Sequence, residues 1–104
     1  MPSSQLFGPA LVRAPWQGGP RRVALTFDDG PSESTPAVLD ALREYGARAT
    51  FFQVGSNARR LPEVARRVLL EGHEVGNHTQ THPAFYLRTP QQIAAEIGHG
   101  QESL

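Results

Sequence analysis

Arg22-Val23-Ala24-Leu25-Thr26-Phe27-Asp28-Asp29-Gly30-Pro31 is an apolar run that stops at two carboxylates, a glycine and a proline. Val23, Ala24, Leu25 and Phe27 follow one another almost without a polar break, which predicts a strand over 22–27 covered on both faces, as in a parallel sheet. Asp28-Asp29-Gly30-Pro31 ends the run. Gly30 would allow a positive φ there, and Pro31 would fix a turn.

Outward from this stretch the same grammar repeats. Thr35-Pro36 opens a helix, with Thr35 as N-cap and Pro36 at the first helical position. Val38, Leu39, Leu42 and Tyr45 lie on one face of it, and Gly46 closes it. Thr50, Phe51, Phe52 and Val54 make Ala49–Val54 a second buried strand, and Gly55-Ser56-Asn57 reads as a loop. A second helix is expected from about Leu61 to Glu71, with Pro62 near its start, a stripe of Val64, Val68 and Leu69, and Gly72 as its stop. His73–Gly76 is a short third strand. A loop with Phe85, Tyr86 and Leu87 follows, then Thr89-Pro90 and a third helix over about Gln91–Glu102. Residues 1–20 hold Pro2, Pro9, Pro15 and Pro20 and predict an irregular lead-in, with an edge strand near Ala10–Arg13 and Trp16 as a packing anchor. Strands alternating with helices predict an α/β fold of parallel strands joined by crossover helices.

In such folds chemistry gathers where strand C-terminal ends meet the following loops. Two polar segments sit there: Asp28-Asp29, and His78-Thr79-Gln80-Thr81-His82-Pro83 after the third strand. Asp-Gly after a strand is also an ordinary turn signal. A turn needs no second carboxylate, however, and adjacent residues at a strand end can point apart, one to a metal and the other to an attacking water. His78 and His82 stand four apart. That spacing converges two imidazoles on a helix face or in a compact loop, and Pro83 favours the loop or a helix start. Solvated or capping histidines are the plainer alternative. Asn77, Thr79 and Thr81 could fix the imidazole tautomers. Two carboxylates and two imidazoles can together hold a divalent metal and leave one carboxylate as a base, which describes a metallohydrolase.

Composition narrows the classes. The chain has 104 residues, one domain or part of one, with ten acidic and ten basic side chains. No long-range field points to nucleic acid or anionic lipid. Arg59-Arg60 and Arg66-Arg67 read as solvated helix faces. Cysteine is absent, so any metal must take nitrogen and oxygen ligands. No signal peptide is read at the N-terminus, no apolar run is long enough to span a bilayer, and the compartment is left open.

With Ala47-Arg48-Ala49-Thr50-Phe51-Phe52 and Glu71-Gly72-His73-Glu74-Val75-Gly76-Asn77 between them, the two motifs resemble the polysaccharide deacetylase family, the NodB-homology domain or carbohydrate esterase family 4. The resemblance runs from Val23 to about Leu104. It implies a partial distorted (β/α) barrel, with residues 21–104 as the N-terminal part of the domain. It also implies a divalent metal, usually zinc, held by Asp29, His78 and His82, and Asp28 as the general base toward the attacking water. The implied reaction is hydrolysis of N-acetyl or O-acetyl groups on an amino-sugar polymer such as chitin or peptidoglycan. His73 is expected to pack structurally. His99, in Ile97-Gly98-His99, is rejected as the family's later histidine acid, because it follows His82 too closely and lies on a helix.

The family's domain is about twice this length. Its orienting arginine, its oxyanion-stabilising segment and its histidine acid cannot be placed, and three parallel strands cannot close a barrel. The chain therefore reads as an N-terminal half with an open sheet that invites self-association. A metal-binding but inactive fragment and a non-enzymatic carbohydrate-binding module are the alternatives, the latter the weaker because few aromatics are available for sugar stacking.

Overall fold

The computed structural model describes residues 16–104; the edge strand expected near Ala10–Arg13 lies outside them. Three strands, β1 (Thr26–Gly30), β2 (Thr50–Gln53) and β3 (Glu74–Asn77), form a parallel sheet in that order. Helix α1 (Thr35–Glu44) joins β1 to β2, and α2 (Gly55–Arg60) and α3 (Pro62–Leu70) join β2 to β3. A 3-10 turn (Phe85–Leu87) then leads to α4 (Pro90–Ser103). The alternation and the parallel pairing agree with the sequence.

The core is the layer between the sheet and helices α1 and α3. Leu39 and Val68 are fully buried against Phe51, Leu42 and Ala49, with Phe27 and Val75 at the edge. Phe27 and Phe51 pair across the register and stack with centroids 5.2 Å apart. His73 packs edge-on against Phe51, and its Nδ1 accepts the Ala49 N–H at 3.1 Å. It is a structural histidine. Gly46 and Gly72 end α1 and α3 with φ of 62° and 86°, the left-handed geometry that glycine adopts without Cβ strain.

Several local expectations shift. β1 starts at Thr26 because its ladder begins where Leu25 O accepts the Thr50 N–H, and Val23 and Leu25 stay 89% and 43% exposed. Pairing, not hydrophobicity, sets the strand's limits. Positive φ belongs to Asp29, not Gly30. The cap of α1 is Ser34, while Thr35 turns inward and its Oγ1 accepts the Ser32 N–H. Tyr45 and Leu69 are exposed, since one turn of stripe suffices to reach a thin sheet layer. Trp16 is exposed too, with the Arg21 guanidinium 4.7 Å over its ring. Gly55-Ser56-Asn57 opens a helix instead of a loop. At α4 the sequence holds well: Thr89 caps it in a reciprocal box with Gln92. No helix among the described residues is long and apolar enough to cross a membrane.

Arg67 is not a solvated face residue. Its guanidinium joins Glu71, just past the end of α3, to Asp40 on α1, tying the two helices at the surface. That hydrogen bond from Arg67 holds the Asp40 carboxyl below the usual carboxylate range. A group whose folded pKa lies below its unfolded one stabilises above the unfolded value, and the contribution fades as pH falls through the folded value. Asp40→Asn should therefore lower Tm at neutral pH, with the gap to wild type closing as pH falls below the ordinary aspartate range. An equal gap in thermal melts at neutral pH and below that range would remove the ion pair from this account.

Helix α4 lies across the segment after β3, and its glycines differ sharply. A Cβ at Gly100 would sit 2.6 Å from Asn77 Oδ1 and 2.8 Å from the Thr79 carbonyl carbon, whereas a Cβ at Gly98 meets nothing within 4 Å. Gly98→Ala should stabilise by about 0.5–1 kcal/mol through helix propensity. Gly100→Ala should cost about 1–3 kcal/mol by overpacking. Urea denaturation of both variants reads the contrast; two shifts of the same sign would contradict the close approach at Gly100.

Candidate metal centre

The C-terminal ends of the strands are level: Gly30 pairs with Gln53, and Gln53 with Asn77. Between Asp28, opposite Phe52, and Gly30, opposite Gln53, β1 carries one extra residue, Asp29. This is a β-bulge, and it breaks the alternation that would otherwise send Asp28 and Asp29 to opposite faces in strict order. Asp29 takes φ 72°, a conformation that aspartate tolerates better than most residues. The Asn57 side chain donates to the Asp29 carbonyl at 2.9 Å, so the first turn of α2 holds the bulge.

The second half of the site follows β3. His78 N–H donates to Gln53 O at 2.9 Å, extending the ladder by one residue. The chain then bends through Thr79 and His82, with φ of 69° and 60°. The two histidines thus converge from a loop, with ring centroids 4.8 Å apart. Asp29 Oδ1 lies 3.0 Å from His78 Nε2 and 3.2 Å from His82 Nε2. The three donor atoms all fall within 4.8 Å of one another.

This donor set fits a divalent cation. One carboxylate oxygen and two imidazole nitrogens are a borderline-hard set without thiolate, suited to zinc or a similar ion, and three protein ligands leave coordination positions open. His78 is half-buried and His82 and Asp29 are exposed, so the site is reachable from solvent. Asp28 is exposed and stands outside the cluster. With Asp29, Thr35, Phe51 and Gln53 it lines a neighbouring cavity of about 250 Å³.

Asn77, Thr79 and Thr81 serve the loop backbone and α4 instead of the imidazole nitrogens. Asn77 Oδ1 accepts the Thr79 N–H and its Nδ2 donates to Ile97 O, both at 2.8 Å, and Thr79 Oγ1 accepts the His82 N–H at 3.0 Å. On the other side, the N–H groups of Gly55 and Ser56 donate to Thr79 O and Gln80 O at 2.8 Å each. Glu96 of α4 completes the frame. Its Oε2 accepts the N–H groups of Gln80 and Thr81 at 3.0 and 2.8 Å, and its Oε1 accepts the Thr81 hydroxyl at 2.7 Å. Burial pushes the Glu96 carboxyl up, but the bonds from Thr81 and Gln80 together hold it below its ordinary value. His99 lies on α4. Sequence reasoning missed Asn57 and Glu96. The Gly-Ser-Asn after β2 was a usable signal for the first, because such residues also start helices. A glutamate on a helix surface carries no such signal.

Known proteins share the sequence and the fold of this chain. A chitooligosaccharide deacetylase from Azorhizobium caulinodans is 45% identical over 83 residues, covering 79% of this chain and 40% of that protein. The structure of the peptidoglycan deacetylase PdaC from Bacillus subtilis superposes with a TM-score of 0.74 at 42% identity, covering 77% of this chain and 40% of that one. A family 4 acetyl xylan esterase from Clostridium thermocellum, solved in complex with a cobalt ion, gives a TM-score of 0.70 at 38% identity, covering 77% and 40%. The chain thus spans about two fifths of the length of these relatives. The polysaccharide deacetylase model matches residues 17–104, and the chain belongs to that family.

Proposed function

We propose that this chain carries the metal-binding half of a carbohydrate deacetylase, a hydrolase cleaving the C–N bond of acetamido groups on an amino-sugar polymer such as chitin or peptidoglycan. The observation that carries the proposal is the meeting of Asp29, His78 and His82 donor atoms within 4.8 Å at the C-terminal edge of the sheet. The names of its relatives support the substrate class.

Asp29 Oδ1 and the Nε2 atoms of His78 and His82 would hold the ion, zinc before others. Bound there, a divalent cation supplies Lewis acidity to amide hydrolysis. The remaining work belongs to the chain. Asp28 stands outside the donor cluster, which leaves its carboxylate free to take a proton from the attacking water. Thr79 and Asn77 fix the loop from which the imidazoles project. The exposure of Asp28 and Asp29 leaves the site open to an extended polymer instead of a small enclosed substrate. Self-association belongs to the same proposal: the exposed Val23 and Leu25, just before β1 of the open sheet, offer a second copy an apolar surface.

Acetate release from acetylated chito-oligosaccharides by the 104-residue chain, with zinc and with chelator, tests the reading. Zinc-dependent release is expected. Asp28→Asn should lower it by about 10²–10⁴-fold while the protein keeps its metal. His78→Ala and His82→Ala should lose the metal itself. Stoichiometric zinc without acetate would leave a metal-binding chain without turnover. Saccharide binding indifferent to chelator and to Asp28→Asn would point to a binding module instead.

A further inference from the structure

We infer that Glu96 is a positioning residue for the two histidines: from α4, its carboxylate fixes the turn between His78 and His82 in the one shape that aims both imidazoles at Asp29. The inference rests on the metal-site reading proposed above.

The turn is costly to hold. Thr79 and His82 both adopt positive φ, 69° and 60°, in a region that non-glycine residues occupy only when their surroundings over-determine it. Left to itself such a segment relaxes to a neighbouring basin, and a change of backbone basin at His82 would carry its ring away from Asp29 Oδ1, now 3.2 Å distant. Glu96 supplies the missing determination. The N–H groups of Gln80 and Thr81 both converge on Oε2, and successive backbone N–H groups on one anion form a nest that fixes the intervening dihedrals. Oε1 takes the Thr81 hydroxyl at 2.7 Å, so both oxygens are committed to the three-residue segment between the histidines. A half-buried charged acceptor makes stronger bonds to N–H than a neutral one.

The carboxylate also sits on a rigid support. Gly100, one turn further along α4, lets the helix approach the backbone of Thr79 and Gln80 closely, a Cβ there falling 2.8 and 3.1 Å away. Asn77 is tied to the same helix through Ile97 O. A loop carrying two donors is thus referenced to α4, which itself contributes none of the three donors.

Cobalt(II) titration of the metal-free 104-residue chain, followed by its visible absorption, separates the outcomes. Glu96→Ala removes both carboxylate oxygens and the three hydrogen bonds they accept, leaving only the Glu96 main-chain oxygen to the Gln80 N–H at 3.0 Å, while improving intrinsic helix propensity. It should raise the cobalt Kd about tenfold or more and shift the absorption band, which reports ligand geometry. Glu96→Asp keeps the charge on the helix but withdraws it by one methylene. It should weaken binding in the same direction, and it gives the reading if the alanine variant does not fold by circular dichroism. Glu96→Gln can still accept both N–H groups through its carbonyl oxygen and donate to the Thr81 oxygen, so it should recover most of the affinity. Glu102→Gln, the same charge change at an exposed position of α4, should bind as wild type. Wild-type affinity with an unchanged band in both Glu96→Ala and Glu96→Asp would overturn the inference alone. No His78-dependent cobalt band in the wild type would overturn the metal-site reading and this inference with it.

Discussion

A carboxylate leaving β1 and an imidazole leaving β3 must meet across β2, over two strand spacings, roughly 9.5 Å. That reach is the constraint on which the rest of the site depends. Straight strands would project Asp29 and His78 along parallel lines that never converge. The chain bends both ends toward the middle: the extra residue in β1 swings Asp29 out of the ladder, and the left-handed residues after β3 fold His82 back beside His78. Between them β2 provides the floor, with Phe51 and Gln53 turned down into the core and Gln53 O extending its ladder to His78.

Neither bend is stable by its own chemistry, and each is braced from a different element. Asn57 holds the bulge from the start of α2, and α2 in turn presents Gly55 and Ser56 N–H groups to the loop after β3. Helix α4 closes the loop from the far side. The two helices also meet through Ser103, which accepts from Arg59 and donates to Gln80 at 2.6 and 2.8 Å. The donors therefore come from strand ends, while the precision comes from helices that carry no donor.

What was legible in the sequence was whatever repeats along the chain. The apolar periods of Val38, Leu39 and Leu42, and of Val64 and Val68, locate α1 and α3, and the β-branched and aromatic residues around Phe51 locate β2. The Asp-Asp and His-x-x-x-His segments stood out because their residue types and their position after apolar runs are both local facts. What was hidden depends on partners distant in sequence. Gly55-Ser56-Asn57-Ala58-Arg59-Arg60 has little apolar periodicity, and its helix begins where its N–H groups find the carbonyls of Thr79 and Gln80. Tyr45 and Leu69 continue a stripe in sequence that the thin sheet does not reach in space. Arg67 looked like any helix-surface arginine until Asp40 was found opposite it. Glu96 is the clearest case, an unremarkable glutamate whose partners are backbone groups and leave no mark in a residue pattern.

The parallel order β1-β2-β3 has a kinetic consequence. Parallel strands can register only after the crossover between them has closed, and pairings of this non-local kind form slowly. His78 and His82, four residues apart, are neighbours even in an unfolded chain, whereas Asp29 reaches them only once both crossovers are complete. With the proposed metal site, an ion meeting the nascent chain would find two ligands at once and the third at the end of folding. Full loading would then be the last event of assembly, and a stalled intermediate would hold its metal loosely through the histidines alone.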